Sequence, residues 1–238
     1  MSFNTKLIQG EVLFQRTKPK KKYSRDSIFF FCVETSEMEK KLYLACKDGK
    51  VEEVRKLLQN SQIKINWQNN DHDSLSTPQN TYWNTGATPF HIACYHGHIE
   101  IVKLLLNDKR VDFNKASDIG CTPFYIACDG HIEIVRLLLN DKRVDINKAN
   151  KYGRTPFYFA CCYGKTEIMK YMLESGREMD INKADNDGNT GLDKAKEKGN
   201  IDIVKLIESF ERNPNETRTK LRKDLVICKF SIYLIKFL

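Results

Sequence analysis

The sequence predicts an all-α solenoid: paired antiparallel helices joined by hairpin loops, in about five repeats including degenerate end caps. Two observations carry that expectation. The first is self-similarity. The stretch from Thr122 reads TPFYIACDGHIEIVRLLLNDKRVDINKANKYGR, Thr88 opens TPFHIACYHGHIEIVKLLLNDKRVDFNKASDIGC, and Thr155 opens TPFYFACCYGKTEIMKYMLESGREMDINKADNDGN. With Thr190 these openings step by 34, 33 and 35 residues, a period that means stacked supersecondary units rather than one closed core. The second is the punctuation inside each unit, where two apolar segments are separated by a glycine.

Within a unit, a threonine whose hydroxyl can cap a helix is followed by proline at the first helical position, where no backbone N–H is needed. A glycine (Gly97, Gly130, Gly164) stands where that short helix must end in a left-handed conformation. A second apolar run follows, Ile132 to Leu139 in the central copy. It is polar mainly at Glu133 and Arg136, as expected for a helix covered on two sides by neighbours. Glu100/Lys103, Glu133/Arg136 and Glu167/Lys170 recur three apart, each pair contributing roughly 0.2–0.5 kcal/mol to a helix as scaffold. Asp145-Ile146-Asn147 and then Gly153 read as a turn-rich hairpin before the next threonine.

Thr88-Pro89-Phe90-His91-Ile92-Ala93 resembles the T-P-L-H-x-A signature of ankyrin repeats with one conservative change, and three adjacent copies carry the framework. The resemblance implies a non-enzymatic scaffold or adaptor that binds a partner protein on its concave hairpin and first-helix face. In ankyrin-like proteins the usual contact positions flank the hairpin glycine and end the first helix. These positions also vary between copies here, while the threonine, proline, alanine and second-helix leucines do not. They are Trp83 and Asn84; Tyr95 and His96; Asp118, Ile119 and Cys121; Asp129; Lys151, Tyr152 and Arg154; and Cys162 and Tyr163. The resemblance further implies that His91 hydrogen-bonds between adjacent hairpins, with Tyr125, Tyr158 and Asp193 replacing it in later copies. It also gives the histidine after the turn glycine (His98, His131) a turn-stabilising role.

Taken in order, residues 1–35 form a basic segment expected to be flexible. Lys18-Pro19-Lys20-Lys21-Lys22 resembles a nuclear-import patch, a weak pattern against the plainer reading of a solvated charge run. The apolar run from Ile28 to Val33 is expected to cover the open end of the first repeat, and Ser36 with Glu39 reads as a capping box. The repeat domain covers 36–212, with repeats at about 38–70, 88–121, 122–154, 155–189 and 190–212. From Asn66 to Thr88 is 22 residues where later units use 8, so an inserted loop at about 69–84 is expected to project from a hairpin edge, either as a candidate partner contact or as a passively tolerated insertion. The third repeat has Cys128-Asp129-Gly130 where the second has Cys94-Tyr95-His96-Gly97, which shortens its first helix or turn by one residue. Thr190-Gly191-Leu192-Asp193 loses the proline and suits a C-terminal capping repeat. Asn213-Pro214 is read as a stop and 213–238 as a C-terminal tail, whose last stretch is expected to be loosely packed or disordered, with packing on the cap or contact with a membrane surface as alternatives. Its apolar end, Leu225 to Leu238, is fourteen residues, short of the ~20 that span a bilayer.

The net charge of +8 lies in the ends: residues 38–212 carry 26 basic and 25 acidic side chains. Nucleic acid is therefore not expected as the main partner, nor is a membrane or a small-molecule substrate, and a monomer is expected. Eight cysteines include no CxxC pair and no zinc spacing with histidine. Cys46, Cys94, Cys128 and Cys161 follow an alanine at one repeat position and read as small core residues, with Cys121 and Cys162 at more exposed places. No secretory signal is recognised, and the cytoplasm is the expected location, with the nucleus as a second one. Gly164-Lys165-Thr166 lacks the glycine a phosphate loop needs five residues earlier, since position 159 is phenylalanine. His96 and His98 occupy turn positions rather than a metal pair. No catalytic residue, metal or cofactor is assigned. An enzyme subunit or a nucleic-acid-associated regulator built from the insert and basic tails is the alternative.

Overall fold

In the computed structural model the described residues are 7–8, 11–12, 37–70 and 85–235, with side chains described for 37–70 and 85–226. Two short strands, β1 (Leu7–Ile8) and β2 (Glu11–Val12), pair antiparallel. The repeats follow as helix pairs: α1 (37–47) with α2 (Val51–Leu58), α3 (Pro89–Tyr95) with α4 (Ile99–Leu106), α5 (Pro123–Ala127) with α6 (Ile132–Asn140), α7 (Pro156–Cys162) with α8 (Thr166–Glu174), and α9 (Gly191–Glu197) with α10 (Ile201–Arg212). The helix α11 (Pro214–Ile235) ends the description. First helices α3, α5, α7 and α9 contact in succession, as do second helices α2, α4, α6, α8 and α10. The all-helical paired solenoid is the predicted one.

The helix starts are built as the sequence dictates. Thr88, Thr122 and Thr155 are buried, and each hydroxyl accepts from the backbone N–H three residues on at 3.1 Å. Thr190 has no proline after it, and Asp193 completes a capping box by accepting the Thr190 N–H at 2.8 Å. A side chain at Gly191 would meet Cys161 Sγ at 3.0 Å, which accounts for the glycine there. Glu39 is buried and accepts from the Lys64 N–H at 3.0 Å; Ser36, its expected capping partner, lies outside the described residues.

The core is one continuous cluster running from Leu42 through Leu105, Leu138 and Met172 to Leu221. No unit has a core of its own, because each second helix buries its apolar side against the helices on either side. Leu138 is fully buried, whereas Leu137 beside it is only half-buried. The Glu/Lys and Glu/Arg pairs form on the outer face as expected. The first helix of the third repeat is short: α5 has five residues where α3 and α7 have seven.

The C-terminal segment corrects the sequence reading. Residues from 214 form a helix packed on α8 and α10, with Thr217, Leu221 and Leu225 buried at four-residue spacing. Asn213 and Pro214 are a start as well as a stop. Asn213 leaves the helical region at φ −149 and its Oδ1 accepts from the Glu216 N–H at 3.3 Å, with proline at the first helical position. Arg218 donates to Leu173 O at 3.3 Å and lies over Phe210, and Arg222 pairs with Glu174 at 3.1 Å. This helix, rather than the last repeat, closes the stack. Among the described residues no helix is long and apolar enough to cross a membrane.

Leu138→Ala is expected to lower the unfolding free energy in urea by about 2–5 kcal/mol, as large-to-small changes in packed cores do, while exposed Glu133→Ala stays within ~0.5 kcal/mol. Equal midpoints for Leu138→Ala and the parent would contradict the packing described.

Candidate protein-binding face

Three sets of side chain to backbone hydrogen bonds fix each repeat on its neighbour and so set the geometry of the exposed face. At the turn between helices, the residue after the glycine reaches back one repeat. His98 Nε2 meets Lys47 O at 2.9 Å, His131 Nε2 meets Tyr95 O at 2.7 Å, Lys165 Nζ donates to Asp129 O at 2.6 Å, and Asn200 Nδ2 donates to Cys161 O at 2.8 Å. The His131 ring sits against Gly97, where φ is 75° and a Cβ would fall 2.5 Å from Nδ1, so only glycine fits. The turn role of these histidines is as the resemblance implied.

At the other end, Asn66, Asn114 and Asn147 each bridge to the next repeat. Asn114 donates to Arg143 O at 2.8 Å and accepts from the Asp145 N–H at 2.7 Å; Asn66 does the same with Arg110 and Asp112, and Asn147 with Glu178 and Asp180. Arginines add a third set. Arg110 donates to Leu58 O and Asn60 O, Arg143 to Leu106 O, and Arg177 to Asp141 O and Val144 O. Those to Leu58 O and Leu106 O fill acceptors that helix C-termini leave open.

The hairpin tips join in a row: the Asp118 N–H donates to Thr85 O, Lys151 to Ile119 O, and Asn186 to Tyr152 O, at 2.9–3.0 Å. Asn69 closes the first hairpin against Ala87 and Gly86 as Ser117 closes the next against Cys121 and Gly120. The insert therefore branches from a closed hairpin base. Its residues 71–84, with Trp83 and Asn84, lie outside the described residues, as do the basic patch and apolar run of the N-terminal segment.

The other contact candidates divide. Asp118, Lys151 and Tyr152 are exposed at the tips, and Ile119 is half-buried there. Tyr95 is half-buried and His96 exposed at the end of α3, their rings 5.0 Å apart edge to face. Asp129 is exposed and pairs with Lys165 at 2.8 Å. Cys121 is a correction: it is fully buried, packed near the Asn150 amide, so its side chain offers a partner nothing. The residue before the capping threonine points inward when it is small and outward when it is Arg154. Burial pushes up the thiols of Cys46, Cys94, Cys121, Cys128 and Cys161, and all six described cysteines are free.

Tyr152, Arg154, Cys162 and Tyr163 converge. With Tyr125, Asn150, Tyr158 and Phe159 they line a cleft of about 270 Å³. Tyr163 is 57% and Tyr152 43% exposed. Phe159 stands 4.5 Å from the Tyr163 ring and 5.0 Å from that of Tyr125. Arg154 Nε donates to Asp185 Oδ2 at 3.2 Å, and the Tyr158 hydroxyl donates to the same oxygen at 2.7 Å. Burial alone would raise the Asp185 pKa, but Tyr158, the Asn189 and Asp187 N–H groups and Arg154 outweigh it and hold the carboxyl at about 2. Sequence reasoning missed Tyr125, Tyr158 and Phe159 as part of this surface, although the first two stand at the signature histidine position. Among the described residues no cluster of histidine, cysteine and acidic side chains could hold a metal ion.

That signature position pairs with the hairpin residue of its own repeat. Tyr158 bonds Asp185 and Tyr125 meets Asn150 at 3.4 Å, but His91 lies beside the Cys121 backbone without a well-formed hydrogen bond, and the Ser117 hydroxyl is also unpartnered. The inter-hairpin bond the resemblance implied for His91 is therefore not made.

A family model described as ankyrin repeats, three copies, matches residues 42–150 and 142–218. The chain belongs to the ankyrin-repeat family, whose repeats are generally protein–protein interaction modules and whose members are generally non-enzymatic. Among curated proteins no match is found.

Burial lowers the His91 pKa from 6.5 to about 4. Between those values the unfolded chain binds a proton that the folded one excludes, so stability present above pH 6.5 is lost as pH falls toward 4, on the order of 3 kcal/mol. His91→Tyr, the residue of the next two repeats, is expected to lose visibly less stability between pH 7 and pH 4.5 in urea titrations. Identical pH dependence in the two proteins would contradict it.

Proposed function

We propose that the chain is a non-enzymatic adaptor that binds a partner protein along the row of hairpin tips and first-helix ends. The observation that supports this reading is the convergence of Tyr152, Arg154 and Tyr163 at one open cleft. Tyrosine and arginine are the residue types enriched in interface hot spots, and here their apolar surface is only half covered by the protein itself. Tyr95, His96, Asp118 and Lys151 extend the face along the repeats. Rigid neighbours hold these side chains, which reduces the ordering that binding must impose. Free described cysteines support a reducing, cytoplasmic location, with Lys18-Pro19-Lys20-Lys21-Lys22 as a route to the nucleus.

Arg154 is a poor choice for a clean binding test, because removing it strips one donor from buried Asp185. Tyr152→Ala with Tyr163→Ala is expected to weaken capture of the partner by at least ~2 kcal/mol in affinity purification with quantitative mass spectrometry, with little change in melting temperature. Glu133→Ala with Arg136→Ala, on the outer helical face, leaves capture intact. Equal losses from both pairs would show that the partner uses a different surface.

A further inference from the structure

Resting on that reading of the face, we propose that the cleft beside Tyr152 and Tyr163 is the subsite for an acidic side chain, aspartate or glutamate, carried by the partner segment. The argument turns on which donors of Arg154 are already used. Its Nε is taken by Asp185 at 3.2 Å, and the Asp185 side chain, 0% exposed, is itself saturated by Tyr158 and by the N–H groups of Asp187 and Asn189. The guanidinium carbon lies 5.6 Å from the Tyr152 ring and 5.5 Å from the Tyr158 ring. The side chain is thus fixed by one hydrogen bond and two aromatic faces.

Its two terminal nitrogens are left over. Among the described residues they make no hydrogen bond; Asp187, 75% exposed, is 3.9 Å from Nη2, beyond hydrogen-bonding length. Arg154 is 39% exposed and lines the cleft. A rigid planar fork with unfilled donors matches a planar two-oxygen acceptor. An apolar occupant would desolvate those donors without replacing their water, and a cation would face the guanidinium charge. Phe159 and Tyr163 supply an apolar wall for the methylene stem of the acid. The hairpin row continues on both sides of the cleft, through Ile119 and Lys151 to one side and Asn186 to the other, so a segment crossing it presents a side chain rather than a chain end. Asp187 is the built-in competitor for the same donors.

The test is an NMR titration of the full-length protein with four acetylated tripeptides: Ac-Leu-Glu-Leu-NH2, its Gln and Lys counterparts, and the Gln peptide with a free C-terminal carboxylate. The Glu peptide is expected to shift the signals of Tyr152, Arg154 and Tyr163 and to bind at least about threefold tighter than the Gln amide, with the Lys peptide weakest. Asp187→Asn, on an exposed residue, is expected to tighten the Glu peptide further, and Arg154→Lys to remove most of the preference for Glu over Gln. A Gln or Lys peptide that binds as well as Glu, or weaker Glu binding by Asp187→Asn, would overturn the carboxylate assignment while leaving the protein-binding reading in place. A free-terminus Gln peptide that matches the Glu peptide would overturn the side-chain assignment, and shifts confined to other surfaces would overturn the subsite.

Discussion

Each repeat buries its apolar side only against its neighbours, so the contact between successive helix pairs is the interaction on which everything else rests. Leu138 and Met172 lie in one cluster that passes from repeat to repeat without a boundary. Apolar burial is non-directional, and by itself it would let two stacked pairs slide. The hydrogen bonds from His131, Asn114 and Arg143 to backbone groups of the adjoining repeat remove that freedom, because each needs its acceptor at one distance. The same bonds satisfy carbonyls that helix ends would otherwise leave open.

A stack of this kind has two ends that must be closed, and it tolerates change only where the interface is untouched. At the C-terminal end α11 lays Thr217, Leu221 and Leu225 on α8 and α10. The insert lies within the loop whose base the Asn69–Ala87 bridge closes, so the stacking surfaces do not register its length. The shortened turn at Gly130 is accommodated similarly: Lys165 spans to Asp129 with a long side chain where the two preceding interfaces use an imidazole.

Much of this was legible in the sequence, because the determinants of a repeat are local. Thr-Pro starts, turn glycines and the Glu/Lys spacing each act within one helix or turn, and their repetition confirms the reading. What escaped depends on distances across repeats. Asn66, Asn114 and Asn147 recur visibly after an apolar residue, yet their role appears only when the next loop lies beside them. In the sequence Arg154 stands among the contact positions with no sign of its anchor, because Asp185, its partner, is 31 residues away. Cys121 read as exposed because its position is defined by the hairpin, whose inward side the sequence does not mark. The last helix was misread for a different reason: its buried stripe is three residues long and set among lysines and arginines, which hides the amphipathic period.

The exposed face inherits its rigidity from the stack. Tyr152 stands on a hairpin whose carbonyl is held by the Asn186 N–H, and Arg154 is anchored on Asp185 of the following repeat, so loosening one interface should be felt on both sides of it. Amide hydrogen exchange in the parent and in Asn114→Ala, which loses two bonds across one interface, measures this directly. The account predicts reduced protection in both α4 and α6, the second helices flanking that interface. Loss confined to the loop around residues 108–116 would show that each repeat stands on its own contacts.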